Sequence, residues 1–358
     1  MLTTTLRALF LLPVALRVAV AQTACNNSPS LCDQRYNNIT QLGAHDSPFI
    51  RDGSTSWSTS GNQFYNSTVQ LQAGVRLLTA QVHRTNTTSS GQWHLCHTSC
   101  DLLDAGKLSD WLGEVKLFLD NNANEVVTIL LVNSDNAGAS DLAGEYEEAG
   151  IDSYAYVPST KSASNEWPTL NGAISNGTRL MNFVASLDDN SAAPYLMDEF
   201  TYIFENNYEN SALTNFSCAA NRPSSVSGET SEAVNSGMMP LMNHFLYENQ
   251  AFGIQTPHVG NLTTTNSDNN QTGSLGQSAR ECESAYGRRP SFLLVDFFNV
   301  GPAIATIDQM NGVTDATGRA SVPNQVLSET SAAGLVPKIG PWTLGVVAIS
   351  VGYALCIC

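Results

Sequence analysis

QLGAHDSPFI, residues 41–50, carries a His-Asp pair, His45 and Asp46, directly behind a glycine and a short apolar segment. We expect a short strand over residues 36–42 that gives way to a loop at this pair. Two titratable side chains at such a point are as compatible with a polar loop that caps another element as with a catalytic site. The remaining sequence decides between these two interpretations.

Short apolar runs, each bounded by polar turns, recur along the whole chain. Continuous runs of this kind are typical of strands that are buried on both faces. Residues 108–125, by contrast, repeat their apolar side chains at helical spacing. Eight strands with helical linkers, and no internal repeat, predict one α/β domain, a single distorted (β/α)8 barrel of the TIM type. The runs lie at 39–44, 75–83, 93–97, 126–135, 179–186, 201–206, 240–247 and 291–300.

Polar residues follow or end several of these runs. In a (β/α)8 barrel the functional groups come from the C-terminal ends of the strands, which meet at one rim. Six runs with polar ends therefore predict a functional site at that rim. The residues concerned are His45, Asp46, Gln81, His83, His97, Asn133, Asn243, His244 and Asp296.

Both ends of the chain indicate export. Residues 1–21 combine an arginine, a short apolar core and a small-x-small cleavage site, which is typical of a signal peptide. Residues 332–358 have the layout of a glycolipid (GPI) anchor signal, with small residues near Ser331, a spacer, and an apolar run from Trp342 onward. That run is shorter than the ~20 residues of a membrane span. We expect a mature domain over 22–331, secreted and held by lipid at the outer face of the plasma membrane or in the cell wall.

The charge of the chain excludes one class of partner. There are 32 Asp and Glu residues against 16 Lys and Arg, which gives a net charge of -16. Such a surface repels nucleic acids and anionic membranes, because binding them requires Lys and Arg to neutralise phosphates. We expect a monomer without a nucleic-acid partner.

Cysteine usage agrees with an oxidising compartment. Two of the eight cysteines lie in the apolar tail, and the even number that remains suggests disulfides. Acceptor sequons for N-linked glycans, such as Asn26, indicate a glycoprotein. Proximity along the chain predicts the pairs Cys25–Cys32, Cys96–Cys100 and Cys218–Cys282.

Six motifs, spread over nearly the whole mature chain, belong together. They are GAHDS at 43–47, AGVRLLTAQVH at 73–83, WHLCHTSC at 93–100, EVVTILLVNSD at 125–135, MNHFL at 242–246 and FLLVDFFN at 292–299. The first and third together are specific, whereas the others are weak alone. On these motifs the chain resembles the phosphatidylinositol-specific phospholipase C X-domain superfamily, and most closely the secreted fungal PLC-like phosphodiesterases.

The resemblance implies a division of chemical roles. His45 matches the general base, which takes a proton from a substrate hydroxyl that attacks the neighbouring phosphorus. His97 matches the general acid, which protonates the departing alcohol oxygen. Imidazoles suit both roles because they gain and lose protons near neutral pH. Asp46 and Asp296 match the carboxylates that orient the imidazoles, and which of them serves which histidine stays open.

The chain departs from the resemblance where the phosphate charge is stabilised. Metal-independent bacterial members have an arginine near the end of the second strand, and calcium-dependent eukaryotic members have acidic ligands there and on a later strand. In an ungapped reading of this chain, the second-strand positions hold Thr79 and Gln81, and the fourth-strand position holds Asn133. A replacement charge could come from His83 or Arg84.

Metal ions offer alternatives to those residues. A weak calcium site could use Asp46 with the amide oxygens of Gln81 and Asn133, although neutral amides bind calcium less well than carboxylates. No other cofactor is expected. A zinc site is the alternative to the middle disulfide, and its ligands would be His94, Cys96, His97 and Cys100.

The sequence therefore predicts a phosphoric diester hydrolase that acts on a lipid or glycerol phosphodiester. His244 is either a substrate contact or a hydrogen-bonded structural histidine. One alternative is a catalytically inactive barrel that binds lipid or cell-wall glycan. A glycoside hydrolase would need paired carboxylates, but we interpret the acidic residues as solvated. The acidic residues considered are Glu147, Glu148, Asp188, Asp189, Asp198, Glu199 and Glu205.

Overall fold

Eight parallel strands form the centre of the protein in a computed structural model that describes residues 23–85, 91–251 and 254–329. They curl into a barrel, as the sequence predicts. We call the end at which these strands reach their C-termini the upper face. In order around the sheet the strands are β7 (Leu196–Asp198), β6 (Leu180–Ala185), β5 (Val127–Asn133), β2 (Leu77–Thr85), β1 (Gln41–Ala44), β12 (Phe292–Val295), β9 (Met239–Asn243) and β8 (Ile203–Glu205).

The barrel is open on one side. β7 and β8 are the two edges of the hydrogen-bonded sheet and do not pair with each other in the described part of the chain. A one-turn helix, α5 (Glu199–Tyr202), joins them directly. The predicted barrel is therefore distorted at this seam.

Burial on both faces explains why the strands read as continuous apolar runs. Leu77 of β2 packs inside the barrel with Phe183 and Phe292, whereas the next residue, Leu78, packs outward in the layer that includes Trp111. Helices cover this outer layer, and α2 begins where the spacing predicts and ends four residues before the end of the predicted segment. They are α1 (Ser67–Ala73), α2 (Leu108–Asn121), α3 (Ala139–Ala149), α4 (Leu170–Ser175), α6 (Thr230–Asn235), α7 (Leu262–Thr265), α8 (Leu275–Tyr286) and α9 (Ala303–Asn311).

The start of the first strand differs from the prediction. Tyr36–Asn38 form a 3-10 helix, and the strand begins only at Gln41. The reason is that Tyr36 is fully buried and its hydroxyl lies 2.8 Å from Oγ1 of Thr128. Gly43 follows within β1, where a Cβ would overlap the ends of the Leu294 and Leu77 side chains, so a larger residue would displace those side chains.

The run at 93–97 is not a barrel strand, which corrects the prediction. It forms β3 (Gln92–Cys96), which pairs antiparallel with β2 and with β4 (Asp104–Lys107). The missing barrel strand is β7, whose three residues are too few to show a periodic pattern. A second hairpin, β10 (Tyr247–Asn249) with β11 (Gln255–Pro257), follows β9.

The three predicted disulfides are confirmed. One brackets His97, and another ties the segment after β8 to α8. Asn26 is 5% exposed and its carboxamide oxygen accepts the Val126 amide at 2.7 Å, so we expect no glycan at that sequon. The bonds are Cys25–Cys32, Cys96–Cys100 and Cys218–Cys282.

The predicted export signals lie largely outside the described residues. The signal peptide at 1–21 and the tail at 332–358 are in this category. Within the described ranges, no helix is both long enough and apolar enough to cross a bilayer.

A buried ion pair closes the lower end of the barrel. Arg76 lies 2.6 Å from the Glu125 carboxylate, with both side chains nearly inaccessible to solvent. The same guanidinium donates to the Asn27 side chain and to the Leu71 carbonyl. This set of contacts joins the N-terminal segment to the start of β2 and β5.

Glu125→Gln should lower the free energy of unfolding by about 3 to 5 kcal/mol, because it leaves Arg76 buried without a counter-charge. The matched control is Glu166→Gln, which breaks the pair between Arg35 and a glutamate whose side chain is 76% exposed. Exposed pairs contribute about 0 to 1 kcal/mol. Urea unfolding of both variants checks the difference, and equal losses would contradict this assignment.

Candidate active site

His45 is the first residue after β1, and groups from neighbouring strand ends hold its imidazole. Its Nδ1 lies 2.9 Å from Oδ1 of Asp296, which follows β12. Asn62 donates to the same oxygen at 3.0 Å, and Gln63 donates to the His45 carbonyl at 2.8 Å. Because a carboxylate only accepts, His45 donates from Nδ1 and keeps Nε2 available to take a proton.

Asp46 lies between the two histidines that the sequence singles out. Its Oδ2 is 3.6 Å from Nε2 of His45 and 3.5 Å from Nε2 of His97. The backbone adopts a left-handed φ of 49° here, and the Asp46 amide donates to Oγ1 of Thr79 at 2.8 Å. This turn directs the carboxylate into the barrel, so that both imidazoles point an Nε2 atom at one buried oxygen.

His97 lies in the short loop between β3 and β4. The disulfide between Cys96 and Cys100 closes this loop, and Thr98 within it has a left-handed φ of 61°. Phe49 meets the imidazole edge-on, with ring centroids 5.3 Å apart. The predicted bracing of His97 by the disulfide therefore agrees with the geometry.

Gln81 joins the two halves of the site. Its amide nitrogen donates to Oδ2 of Asp46 at 2.7 Å, and its amide oxygen accepts the Thr98 backbone amide at 2.8 Å. This residue occupies the position where the resemblance implies a charged group. It adds no charge and instead ties the carboxylate beside His45 to the loop that carries His97.

The pKa values of the two histidines shift in opposite directions. Burial by itself lowers the pKa of His45, but the carboxylates of Asp46 and Asp296 outweigh burial and raise the pKa above its ordinary value. Burial lowers the pKa of His97, and Asp46 offsets this only in part. His45 is therefore the stronger base of the pair.

Behind the His45 ring lies an aromatic wall that the predicted site residues do not include. Phe245 stacks on the His45 imidazole with ring centroids 3.7 Å apart and planes 2° from parallel. Tyr247, at the start of β10, meets Phe245 edge-on at 5.5 Å. Burial, followed by the charges of Asp46 and Asp296, raises the pKa of Tyr247 and keeps its hydroxyl protonated. The signal for this wall is the aromatic pair that closely follows the end of β9.

The barrel domain matches a known protein family. The family model for the PI-PLC X domain matches residues 31–311. The chain belongs to the PI-PLC X family. The match spans nearly all of the barrel, so the resemblance seen in the sequence motifs is confirmed.

Similar proteins support the same assignment to the PI-PLC X family. PI-PLC X domain-containing protein 1 of Arthroderma benhamiae is 36% identical over 308 residues, which covers 85% of this chain and 95% of that protein. A protein of the same organism named as an uncharacterized secreted protein is 35% identical, covering 81% of this chain and 64% of its own length. Among solved structures, the phosphatidylinositol-specific phospholipase C of Listeria monocytogenes is similar in fold, with a TM-score of 0.50, 15% identity, and coverage of 79% of this chain and 95% of that one.

Two buried glutamates show that the expectation of solvated acidic residues is wrong at one place. Glu199 and Glu205 are 1% and 3% exposed. Glu205 ends β8, forms an ion pair with Arg222 and accepts a hydrogen bond from Asn243 at 3.2 Å. Burial, followed by the charge of Glu205, raises the pKa of Glu199 well above its ordinary value. Burial therefore favours the neutral form of Glu199, whereas Glu205 has Arg222 as its ion-pair partner.

His83 and Arg84 lie further along β2 than Gln81. Nδ1 of His83 is 3.3 Å from the Asp135 carboxylate. Arg84 is on the opposite face of the strand from Gln81, where its amide donates to Asp135 and its guanidinium lies 5.9 Å from the Trp93 ring. Neither residue contacts Asp46 through a described hydrogen bond or ion pair. The expectation that one of them replaces the family's arginine gains no support from these contacts.

Asn133 and His244 make hydrogen bonds to backbone groups away from the two catalytic candidates, and for His244 this agrees with the structural alternative. The Asn133 carboxamide both donates to and accepts from the backbone of Ala137. Nε2 of His244 contacts the Thr265 carbonyl at 2.9 Å, and its ring stacks on Phe216. Burial lowers the pKa of His244 to about 4, so it is a neutral structural histidine.

The side-chain donors do not form the calcium site considered from the sequence. Gln81 turns its NH2 group toward Asp46, and Asn133 is bonded to its own loop. The ligands considered for zinc are not available either. The sulfurs of Cys96 and Cys100 are joined in a disulfide, and Nδ1 of His94 lies 2.9 Å from the Asp104 carboxylate. The described residues thus favour a site whose charged groups are imidazoles and carboxylates.

Asp296→Asn should lower the pKa of His45, by about 1 unit or more, because it removes one of two carboxylates that favour the imidazolium. The matched control is Asp104→Asn, which removes the partner of His94 at the same 2.9 Å distance. NMR titration of the imidazole protons measures both. The pairing would be contradicted if the pKa of His45 did not change in Asp296→Asn, or if it fell by the same amount in Asp104→Asn.

Proposed function

We propose that this PI-PLC X protein is a secreted phosphoric diester hydrolase of the phospholipase C type, with His45 as general base and His97 as general acid. The single observation that supports this most strongly is that the Nε2 atoms of both rings lie within 3.6 Å of the same Asp46 oxygen. Two groups that exchange protons near neutral pH thus face one space at the upper face of the barrel. The proposed substrate is a lipid or glycerol phosphodiester.

The proposed reaction is an in-line displacement at phosphorus. Nε2 of His45 takes the proton of a substrate hydroxyl, whose oxygen attacks the neighbouring phosphorus atom. His97 gives its proton to the alcohol oxygen as the P–O bond breaks, which leaves a cyclic phosphodiester. Water then opens this ring with the two histidines in exchanged roles, and both return to their starting protonation. Asp296 holds the His45 ring through Nδ1 and stabilises the imidazolium that forms.

The negative charge of the substrate favours the protonated form of the general acid. Burial lowers the pKa of His97, which leaves it largely neutral in the free protein. A phosphodiester carries a negative charge, and a negative charge beside an imidazole raises its pKa. We therefore expect the bound substrate to favour protonation of His97, so that the general acid is charged only when there is a phosphate to stabilise.

The substrate class is suggested by the site and by the relatives together. The Listeria structure is named a phosphatidylinositol-specific phospholipase C, although the likeness to it extends only to the fold. The aromatic wall of Phe245 and Tyr247 suits a headgroup with one apolar face. The second candidate function is an inactive barrel that binds lipid or glycan, and it is favoured by the neutral Gln81 at the position of the family's charge.

Export and lipid attachment complete the proposal. The three disulfides and the relative named as a secreted protein support an extracellular location. We propose cleavage after residue 21 and lipid attachment near Ser331, which leaves the chain on the outer leaflet of the membrane or in the wall. The proposed form is a monomer with N-linked glycans.

His45→Ala and His97→Ala should each reduce turnover of a phosphodiester by roughly 100- to 10,000-fold, because each removes a positioned proton-transfer group. The loss in the double variant should be far less than the product of the two, since both groups serve one displacement. Turnover on a panel of diesters, including phosphatidylinositol, lysophosphatidylcholine and glycerophosphocholine, measures this.

The control for this series is His94→Ala, on the same hairpin as His97 but paired with Asp104. It should retain turnover. A wild-type protein that is inert on every diester, with and without calcium, would overturn the enzyme proposal in favour of the binding protein. Loss of turnover in chelator would point to a metal that the proposed mechanism does not use.

The mature protein should begin near Gln22 and end near Ser331. The layout of both termini gives the reason, because each has the composition of a cleaved signal. Mass spectrometry of protein purified from the membrane fraction measures the ends directly. Peptides from residues 342–358 in the mature protein would contradict lipid attachment.

A further inference from the structure

Two histidines that the proposed reaction does not use lie side by side next to the loop that carries His97. His83 of β2 is directly opposite His94 of β3 in the antiparallel ladder. Residues paired in this way have their side chains on the same face of the sheet, with Cβ atoms about 4.5 to 5.5 Å apart. His83 also shares its face of β2 with Gln81, because alternate residues of a strand point the same way. The two imidazoles are therefore neighbours.

A carboxylate orients each of these imidazoles from the outer side of the pair. The strands lie in the order β5, β2, β3, β4. Nδ1 of His83 is 3.3 Å from Asp135, which follows β5, and Nδ1 of His94 is 2.9 Å from Asp104 of β4. Because a carboxylate only accepts, Nδ1 of each neutral ring carries the proton and Nε2 keeps its lone pair. The four side chains form an Asp-His-His-Asp row, which we call the histidine row.

The two Nε2 atoms of the histidine row lack partners. In the parts of the chain that the structure describes, both atoms are shielded from solvent and neither has a hydrogen-bond partner. Because Nδ1 of each ring points to an outer strand, Nε2 lies on the other side of the ring, toward the middle of the row. A buried polar atom without a partner is unfavourable and calls for an explanation. The side chains of His83 and His94 remain 14% and 17% exposed, so that an ion reaches the rings from solvent.

The charge around the histidine row suits a cation. The carboxylates of Asp135 and Asp104 flank the two rings, and they outnumber the ammonium group of Lys107, which is opposite His94 in β4. The chain as a whole has a net charge of -16, which raises the concentration of cations near its surface.

We propose that Nε2 of His83 and Nε2 of His94 bind one divalent transition-metal ion with the ligand preferences of Zn²⁺. Imidazole nitrogens suit zinc and its neighbours in the periodic table, whereas calcium and magnesium prefer oxygen ligands. A metal-binding histidine commonly donates its other ring nitrogen to a carboxylate, which fixes the tautomer, and both rings of the row do so. Water completes the coordination of the ion.

This site differs from the zinc cluster considered from the sequence, because it uses neither the disulfide-bonded cysteines nor His97. It also takes no part in the proposed reaction. Its ion ties β2 to β3 just before the loop of His97. An ion that binds the folded chain and not the unfolded one stabilises the fold by mass action. We therefore expect Zn²⁺ to raise the midpoint of thermal unfolding of the wild type, and to have no such effect in His83→Ala.

The test uses the full chain without a histidine tag, freed of metal with chelator and then titrated calorimetrically with Zn²⁺. Asp104→Ala removes only the support of one ligand and should weaken binding roughly 10- to 100-fold. His83→Ala and His94→Ala remove a ligand and should weaken it by at least as much. Wild-type protein that binds no Zn²⁺, or binding that both histidine variants leave unchanged, would overturn the proposal.

The matched control is the double variant His45→Ala, His97→Ala, which removes the other pair of buried imidazoles. It should bind Zn²⁺ at the histidine row as the wild type does. Loss of binding in this variant, with retention in His83→Ala, would place the ion in the diester site and overturn the proposal.

A measurement on the wild type needs no substitution and therefore does not depend on how a variant folds. One equivalent of Zn²⁺ should shift the imidazole NMR signals of His83 and His94 and leave those of His45 and His97 in place. Shifts at His45 and His97 instead would contradict the assignment. None of these measurements uses turnover, so the metal site and the proposed hydrolase function can fail separately.

Discussion

The contact of one carboxylate oxygen with two imidazoles is the constraint on which the site depends. Oδ2 of Asp46 lies about equally far from Nε2 of His45 and Nε2 of His97, and Gln81 donates to the same atom. Two imidazolium rings this close would repel one another, and a single buried imidazolium without a nearby negative charge would be disfavoured by desolvation. With the carboxylate between them, one ring can be charged while the other is neutral. An acid–base pair requires this difference in protonation.

The rest of the barrel provides a rigid frame for that contact. Below the site, Leu77, Phe183 and Phe292 fill the barrel interior. At the strand ends the interior becomes polar, and groups from neighbouring strand ends contact one another, as Asp296 contacts His45. The Cys96–Cys100 disulfide and Gln81 fix the loop of His97, which is not held by a barrel strand. Gln81, at the position where the resemblance implies a charged group, joins the two halves of the site.

The sequence predicts the elements whose evidence is local. The pair at 45–46 is found because it ends an apolar run, and the disulfide that brackets His97 is found because its cysteines are close along the chain. β7 is missed because three residues carry no periodicity. Which face of a strand points inward also cannot be read from a run that is apolar on both faces. The sequence therefore does not show that Gln81 points into the site while Asn133, on the paired strand β5, points away from it.

Buried charge is the other feature that the sequence hides. The sequence predicts that Glu205 is solvated, but in the structure it is buried and forms an ion pair with Arg222, which comes from a distant loop. The central claim concerns charge as well, because it holds that a phosphodiester binds between His45 and His97. NMR titration of His97 with and without a saturating non-hydrolysable phosphonate analogue of the diester tests it most directly. The account predicts a pKa below the ordinary histidine value in the free protein and a clear rise when the analogue is bound. A His97 pKa that does not change on binding would contradict it.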